Sequence, residues 1–184
     1  MSLSSARWEK EGIASYVHPI QWYDRDTTFE EKLDNLLNLV RDLSRSGPVS
    51  LAGVSAGAST ALNAFLREPD LISSCICICG PVRFGDGKLC ERERMKKRSP
   101  LFAQSVEMSE ENIGKLHNGL ESRILTIFPK FGDELIQRHT VKISGAKNIE
   151  IPVIGHRTGV LFAMTLWSKE ILGFIKNHEP IAEI

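Results

Sequence analysis

A glycine two residues before a serine and another two residues after it, Gly53-Val54-Ser55-Ala56-Gly57, is a spacing that can present a hydroxyl as a nucleophile. The short apolar run Val49–Val54 reads as a buried strand, and residues 58–65 carry apolar side chains at helical spacing. A serine at the tip of so sharp a strand-to-helix turn holds a strained backbone, and the glycines at 53 and 57 are expected to remove collisions there. The helix beginning after Ser55 aims unpaired N–H groups at the serine's surroundings, where negative charge developing on a substrate is stabilised. The plainer alternative is an ordinary turn in which Ser55 caps the helix.

A nucleophilic serine needs a base to take its proton and a carboxylate to orient that base and support it when charged. Two later loops offer them: Phe131-Gly132-Asp133, after an apolar run at 123–128, and Gly155-His156-Arg157-Thr158-Gly159, after a run at 148–154. Among His18, His117, His139, His156 and His178, only His156 lies in a glycine-flanked loop after a predicted buried strand. A structural hydrogen bond is the alternative role for it, and Arg157 beside it reads as solvated. Asp133 can also cap a following helix, a role compatible with facing a histidine. Asp86, in Phe84-Gly85-Asp86-Gly87, is a rival acid.

The order Ser55, Asp133, His156, each just past a predicted strand, resembles the α/β-hydrolase family over roughly residues 13–177. That resemblance implies Ser55 as nucleophile, Asp133 as acid, His156 as base and the Ala56 backbone N–H as one oxyanion donor. It implies hydrolysis of a small carboxylic ester or thioester through an acyl-enzyme, with no cofactor and no metal. In one respect the sequence departs from the family pattern. Additional leading strands and the glycine-rich loop that supplies the second oxyanion donor are not visible, and losing one donor slows acyl transfer about 10²–10³-fold. Gln21 or Trp22, just beyond the first predicted strand, are the candidates to border the site instead.

The elements that must position these groups follow from periodicity and punctuation. Residues 13–20 carry β-branched and aromatic side chains and read as a first strand, followed by a polar loop. Thr27 or Thr28 can cap a helix in which Phe29, Leu33, Leu36, Leu37, Val40 and Leu43 recur at steps of three and four, and Gly47-Pro48 ends it. After the serine turn the next helix reaches about Arg67, and residues 71–79 form a buried strand. Further strands are expected at 123–128 and 148–154, with helices at about 110–117, 134–143 and 160–177. Alternation of this kind predicts an α/β fold: a parallel sheet of about five strands, helices on both faces, three layers. The segment 82–119 interrupts the alternation. Its charged run at 91–98 mixes both signs, as a solvated helix face does, yet an insertion beside the site can also form a lid or one wall of a pocket.

Composition narrows the function classes. At 184 residues and 42% hydrophobic content the chain is sized for one domain, and 23 basic residues against 23 acidic ones give no net charge. That balance argues against a general nucleic-acid or membrane-surface binder. No apolar run is long enough to span a bilayer and no signal-peptide pattern opens the chain, so a cytoplasmic location is expected. Cys75, Cys77 and Cys79 alternate on one apolar run and read as reduced, buried thiols, without the Cys-x-x-Cys pair or nearby histidine of a metal site. A phosphate-binding loop is disfavoured because residues 53–57 lack Gly-Lys-Ser/Thr. Three alternatives stay open on sequence alone: a non-catalytic binding protein of the same fold, or a peptidase or an acyltransferase on the same three residues. An unpaired edge strand at 13–20 also makes a homodimer an expectation.

Overall fold

The computed structural model describes residues 8–24, 26–86, 90–114, 116 and 119–179. Four parallel strands form one sheet in the order β1-β2-β3-β4: β1 Val49–Val54, β2 Ile72–Ile78, β3 Ile124–Pro129 and β4 Lys147–Ile151. Among the described residues these helices accompany them: α1 Phe29–Ser44, α2 Gly57–Arg67, α3 Arg92–Arg98, α4 Pro100–Ile113, α5 His156–Met164 and α6 Ser168–Lys176. This is the expected α/β architecture with one strand fewer in the sheet.

Side-chain alternation along the strands divides the apolar residues between the two faces. Cys75, Cys77 and Ile124 face one core with Phe29, Leu33 and Leu37 of α1 and Leu62 and Phe65 of α2. Ile76, Ile78, Leu125 and Ile127 face the other, with Ala163 of α5 and Ile171 and Phe174 of α6. Each fully buried Leu, Ile or Phe contributes about 1.5–3 kcal/mol relative to exposure. The register pairs Cys77 with Thr126 and Ile78 with Ile127, so β3 runs two residues past the end of β2, and both strands are covered on their two faces.

The entry to α1 follows its sequence signal. The Thr28 hydroxyl accepts from the Glu31 N–H, and the Glu31 carboxylate accepts from the Thr28 N–H, closing a capping box. Asp24 stabilises the preceding loop by accepting from Asp26 N–H, the Thr27 hydroxyl and the Lys32 ammonium. Those hydrogen bonds, the one from Asp26 N–H foremost, hold its carboxyl down at about 2.

Four expectations are corrected. Residues 13–20 pair with no strand; Tyr16 and Val17 are 66% and 92% exposed, and Pro19 lacks a ladder donor. Among the described residues, β1 is the outermost strand on that side of the sheet. The helix expected at 110–117 begins instead at Pro100, favoured at the first helical position, and runs to Ile113. Its buried face mixes Leu101 and Val106 with the small Ala103 and the polar Ser105 and Ser109, which dilutes the apolar spacing; His117 lies outside the described residues. No α-helix forms at 134–143: the Asp133 carboxylate takes the Leu135 and Ile136 N–H groups into a turn, and only a 3₁₀ turn, Arg138–Thr140, follows. The closing helix is two helices bent by 55°. At the break the Thr165 hydroxyl donates to the Leu161 carbonyl and the Ser168 hydroxyl to the Thr165 carbonyl, and back-bonding of this kind bends helices.

Candidate active site

Ser55 stands between β1 and α2 with φ +52°, a left-handed conformation unusual outside glycine. Two backbone bonds fix it there: its N–H donates to the Ile78 carbonyl at 2.8 Å, and its carbonyl accepts from Ala58 N–H at 3.0 Å. The expected role of Gly53 is met, since a Cβ there would lie 2.3 Å from the Gly57 carbonyl oxygen. Gly57 is different, because a Cβ on it would meet nothing within 4 Å. The second glycine the turn requires is Gly80, just past β2, where a Cβ would lie 2.0 Å from the Ser55 carbonyl oxygen. Sequence reading missed it because the contact comes from the neighbouring strand.

The Ser55 side chain does not cap α2, whose N-cap position is Ala56 and has no side-chain bond. Its Oγ lies 2.9 Å from His156 Nε2, and His156 Nδ1 lies 2.9 Å from Asp133 Oδ2. The Asp133 and His156 side chains are only 6% and 8% exposed. Asp133 uses both oxygens: Oδ1 accepts from Leu135 and Ile136 N–H, which leaves Oδ2 for the imidazole. With Nδ1 donating to a carboxylate, Nε2 is the nitrogen free to accept a proton from the hydroxyl. Asp86 is exposed, and the nitrogen it would need is taken by Asp133.

The two loops that carry the acid and the base are joined through their backbones. Lys130 N–H donates to the Ile151 carbonyl, Phe131 N–H to Val153 and Gly155 N–H to Gly132, at 2.8, 3.2 and 2.8 Å. Gly132 and Gly155 have φ of +113° and +88°, which suits glycine at both bends. A residue not singled out from sequence adds to this: Glu134 Oε2 accepts from the His156 N–H at 2.9 Å, holding the first residue of α5. Beneath them Cys79, at φ +47°, is buried; burial, with the Asp133 charge adding to it, pushes its thiol up to about 12. It therefore stays neutral and is no rival nucleophile. Among the described residues no group of three or more His, Cys, Asp or Glu side chains is placed to hold a metal ion.

A cavity of ≈170 Å³ opens beside this site, with Ala56 in its wall. Trp22 lines it too, whereas Gln21, the other candidate border residue, does not. The opposite wall is Met95, Ser99 and Phe102, from the segment expected to form a lid or a pocket wall. Ser99 Oγ donates to the Trp22 carbonyl at 3.0 Å, and the Trp22 ring contacts Phe102 at 5.2 Å and Phe29 at 6.4 Å between centroids. The N–H groups of Ala56 and Trp22 have no partner among the described residues.

No protein-family model matches the sequence, and no curated protein matches it. Solved structures do. A monoacylglycerol lipase from Paleococcus ferrophilus superposes with a TM-score of 0.58 at 12% identity, covering 83% of this chain and 76% of that one. The meta-cleavage product hydrolase CumD from Pseudomonas fluorescens IP01 gives 0.54 at 12% identity, covering 89% and 76%. Est1E from Butyrivibrio proteoclasticus, with ferulic acid bound, gives 0.52 at 16% identity, covering 83% and 70%.

Proposed function

We propose that this chain, which has the α/β-hydrolase fold, is a serine hydrolase that cleaves a small carboxylic ester or thioester. The observation that carries the reading is the unbroken hydrogen-bonded series from Ser55 Oγ through His156 to Asp133. In this mechanism the Ser55 oxygen attacks the carbonyl carbon as its proton passes to His156 Nε2. Asp133 keeps the imidazole in the required tautomer and stabilises the imidazolium. The tetrahedral oxyanion is received by the Ala56 N–H, with the Trp22 N–H as the second donor. His156 then returns the proton to the departing oxygen or sulfur, leaving Ser55 acylated. Water, deprotonated by the same imidazole, releases the acid and restores the serine.

The backbone donors at Ala56 and Trp22, without partners among the described residues and both beside the cavity, favour a working enzyme over a non-catalytic member of the fold. Two of the similar structures bear the names lipase and hydrolase, in keeping with this chemistry. Among the described residues no single helix is long and apolar enough to cross a membrane. All four cysteines are free thiols, which suits the cytoplasmic location proposed with this function.

The test is covalent labelling by a fluorophosphonate, together with turnover of 4-nitrophenyl acetate. The wild-type protein is expected to label and turn over, and Ser55→Ala and His156→Ala to lower kcat by about 10³-fold or more. Ser55→Ala is expected to lose labelling altogether. A folded protein that neither labels nor hydrolyses the ester overturns the proposal.

A further inference from the structure

The cavity beside Ala56 combines two kinds of wall. Trp22, Met95 and Phe102 make an apolar slot, and at ≈170 Å³ it has room for a ring, since an apolar cavity of about 150 Å³ takes up benzene. Arg94 and Arg98 also line it, one helical turn apart on the same side of α3. Nothing about holding a neutral hydrocarbon calls for the charge of Arg98 at its rim. Arg92, on the same helix, shows the alternative arrangement: it pairs with Glu107 and Glu110 and lies over the Phe84 ring. Arg98 has no ion-pair partner among the described residues.

We infer that the substrate carries a carboxylate on an apolar, ring-sized body, the body lying against Trp22 and Phe102 and the carboxylate on Arg98, with Arg94 adding a second positive charge. A planar guanidinium offers paired donors that match a carboxylate, and because Arg94 and Arg98 are exposed at the cavity rim the charge can stay in water while the apolar body lies against the rings. The inference rests on the hydrolase reading for the word substrate, but the recognition it describes does not depend on turnover.

Two measurements keep the two readings apart. The first is equilibrium binding to Ser55→Ala protein of monomethyl terephthalate and of methyl benzoate, which differ by one carboxylate. The anionic probe is expected to bind about tenfold tighter. Arg98→Ala is expected to abolish that advantage and Arg98→Lys to keep some of it. Lys97→Ala, on the same helix but outside the cavity, should leave it in place. The second is the ratio of kcat/KM for the 4-nitrophenyl half-ester of terephthalic acid to that for 4-nitrophenyl benzoate, expected near ten or above and falling toward one in Arg98→Ala. Equal binding of the two probes, or an advantage that Lys97→Ala removes as fully as Arg98→Ala, overturns the inference even if both esters are hydrolysed. Preferential binding through Arg98 with no Ser55-dependent turnover of either ester upholds the ligand class and overturns the hydrolase reading.

Discussion

The serine turn depends on residues that carry no functional group. Gly53 was legible in the sequence because its spacing to Ser55 is local, and so was the order of Ser55, Asp133 and His156, because each follows a readable strand. Gly80 was not, since only the pairing of β1 with β2 brings it under the Ser55 carbonyl. This sets two glycines against each other. Gly80→Ala puts a methyl group 2.0 Å from the Ser55 carbonyl oxygen and 2.4 Å from the Ala58 Cβ, and is expected to cost about 3 kcal/mol or more. Gly57→Ala meets open space at the start of α2 and is expected to stabilise by about 0.5–1 kcal/mol through helix propensity. Urea denaturation of both variants checks this, and a Gly80→Ala protein as stable as wild type would refute the packing argument. Glu134 was illegible for a different reason. Its target is a backbone N–H in a distant loop, and one carboxylate among many gives no sign of that.

At the level of elements, α4 is a firmly seated part of the cavity wall. A buried polar seam joins α4 to α2: Ser59 Oγ and Ser105 Oγ lie 2.7 Å apart, and Asn63 Nδ2 donates to the Ser105 carbonyl at 2.8 Å. Such a seam interrupts hydrophobic periodicity, so α4, whose buried face alternates serines with Leu101 and Val106, is faint to apolar spacing, whereas α1, with an apolar stripe and a capping box, is plain. It also makes the packing specific, because each group depends on a partner across the interface. Asn63→Ala removes the side-chain donor to the Ser105 carbonyl and leaves a buried gap between α2 and α4, and is expected to lower stability by about 1–3 kcal/mol. Amide hydrogen exchange is expected to accelerate along α4 more than along α1. Unchanged exchange in α4 would show that the seam does not hold the wall.

Over the whole molecule, protection should follow burial in the sheet. β2 and β3 are central and covered on both faces, whereas β1 and β4 are the outermost strands among the described residues. In native-state hydrogen exchange the slowest amides are therefore expected on β2 and β3, with residues 13–20 among the fastest. Protection at 13–20 equal to that of β2 would restore the missing strand. The β-branched composition of 13–20 signalled an extended chain correctly; whether an extended chain finds a partner depends on which edges lie near it, and composition is silent on that. The same segment leads to Trp22, whose carbonyl is held by the Ser99 hydroxyl and whose ring meets Phe29 and Phe102. The two lips of the mouth, nearly eighty positions apart along the polymer, thus form a single joint. A bulkier guest cannot push either lip aside without unseating the other, so tolerance for size is governed by how firmly two remote stretches grip each other, more than by the gap between them at rest.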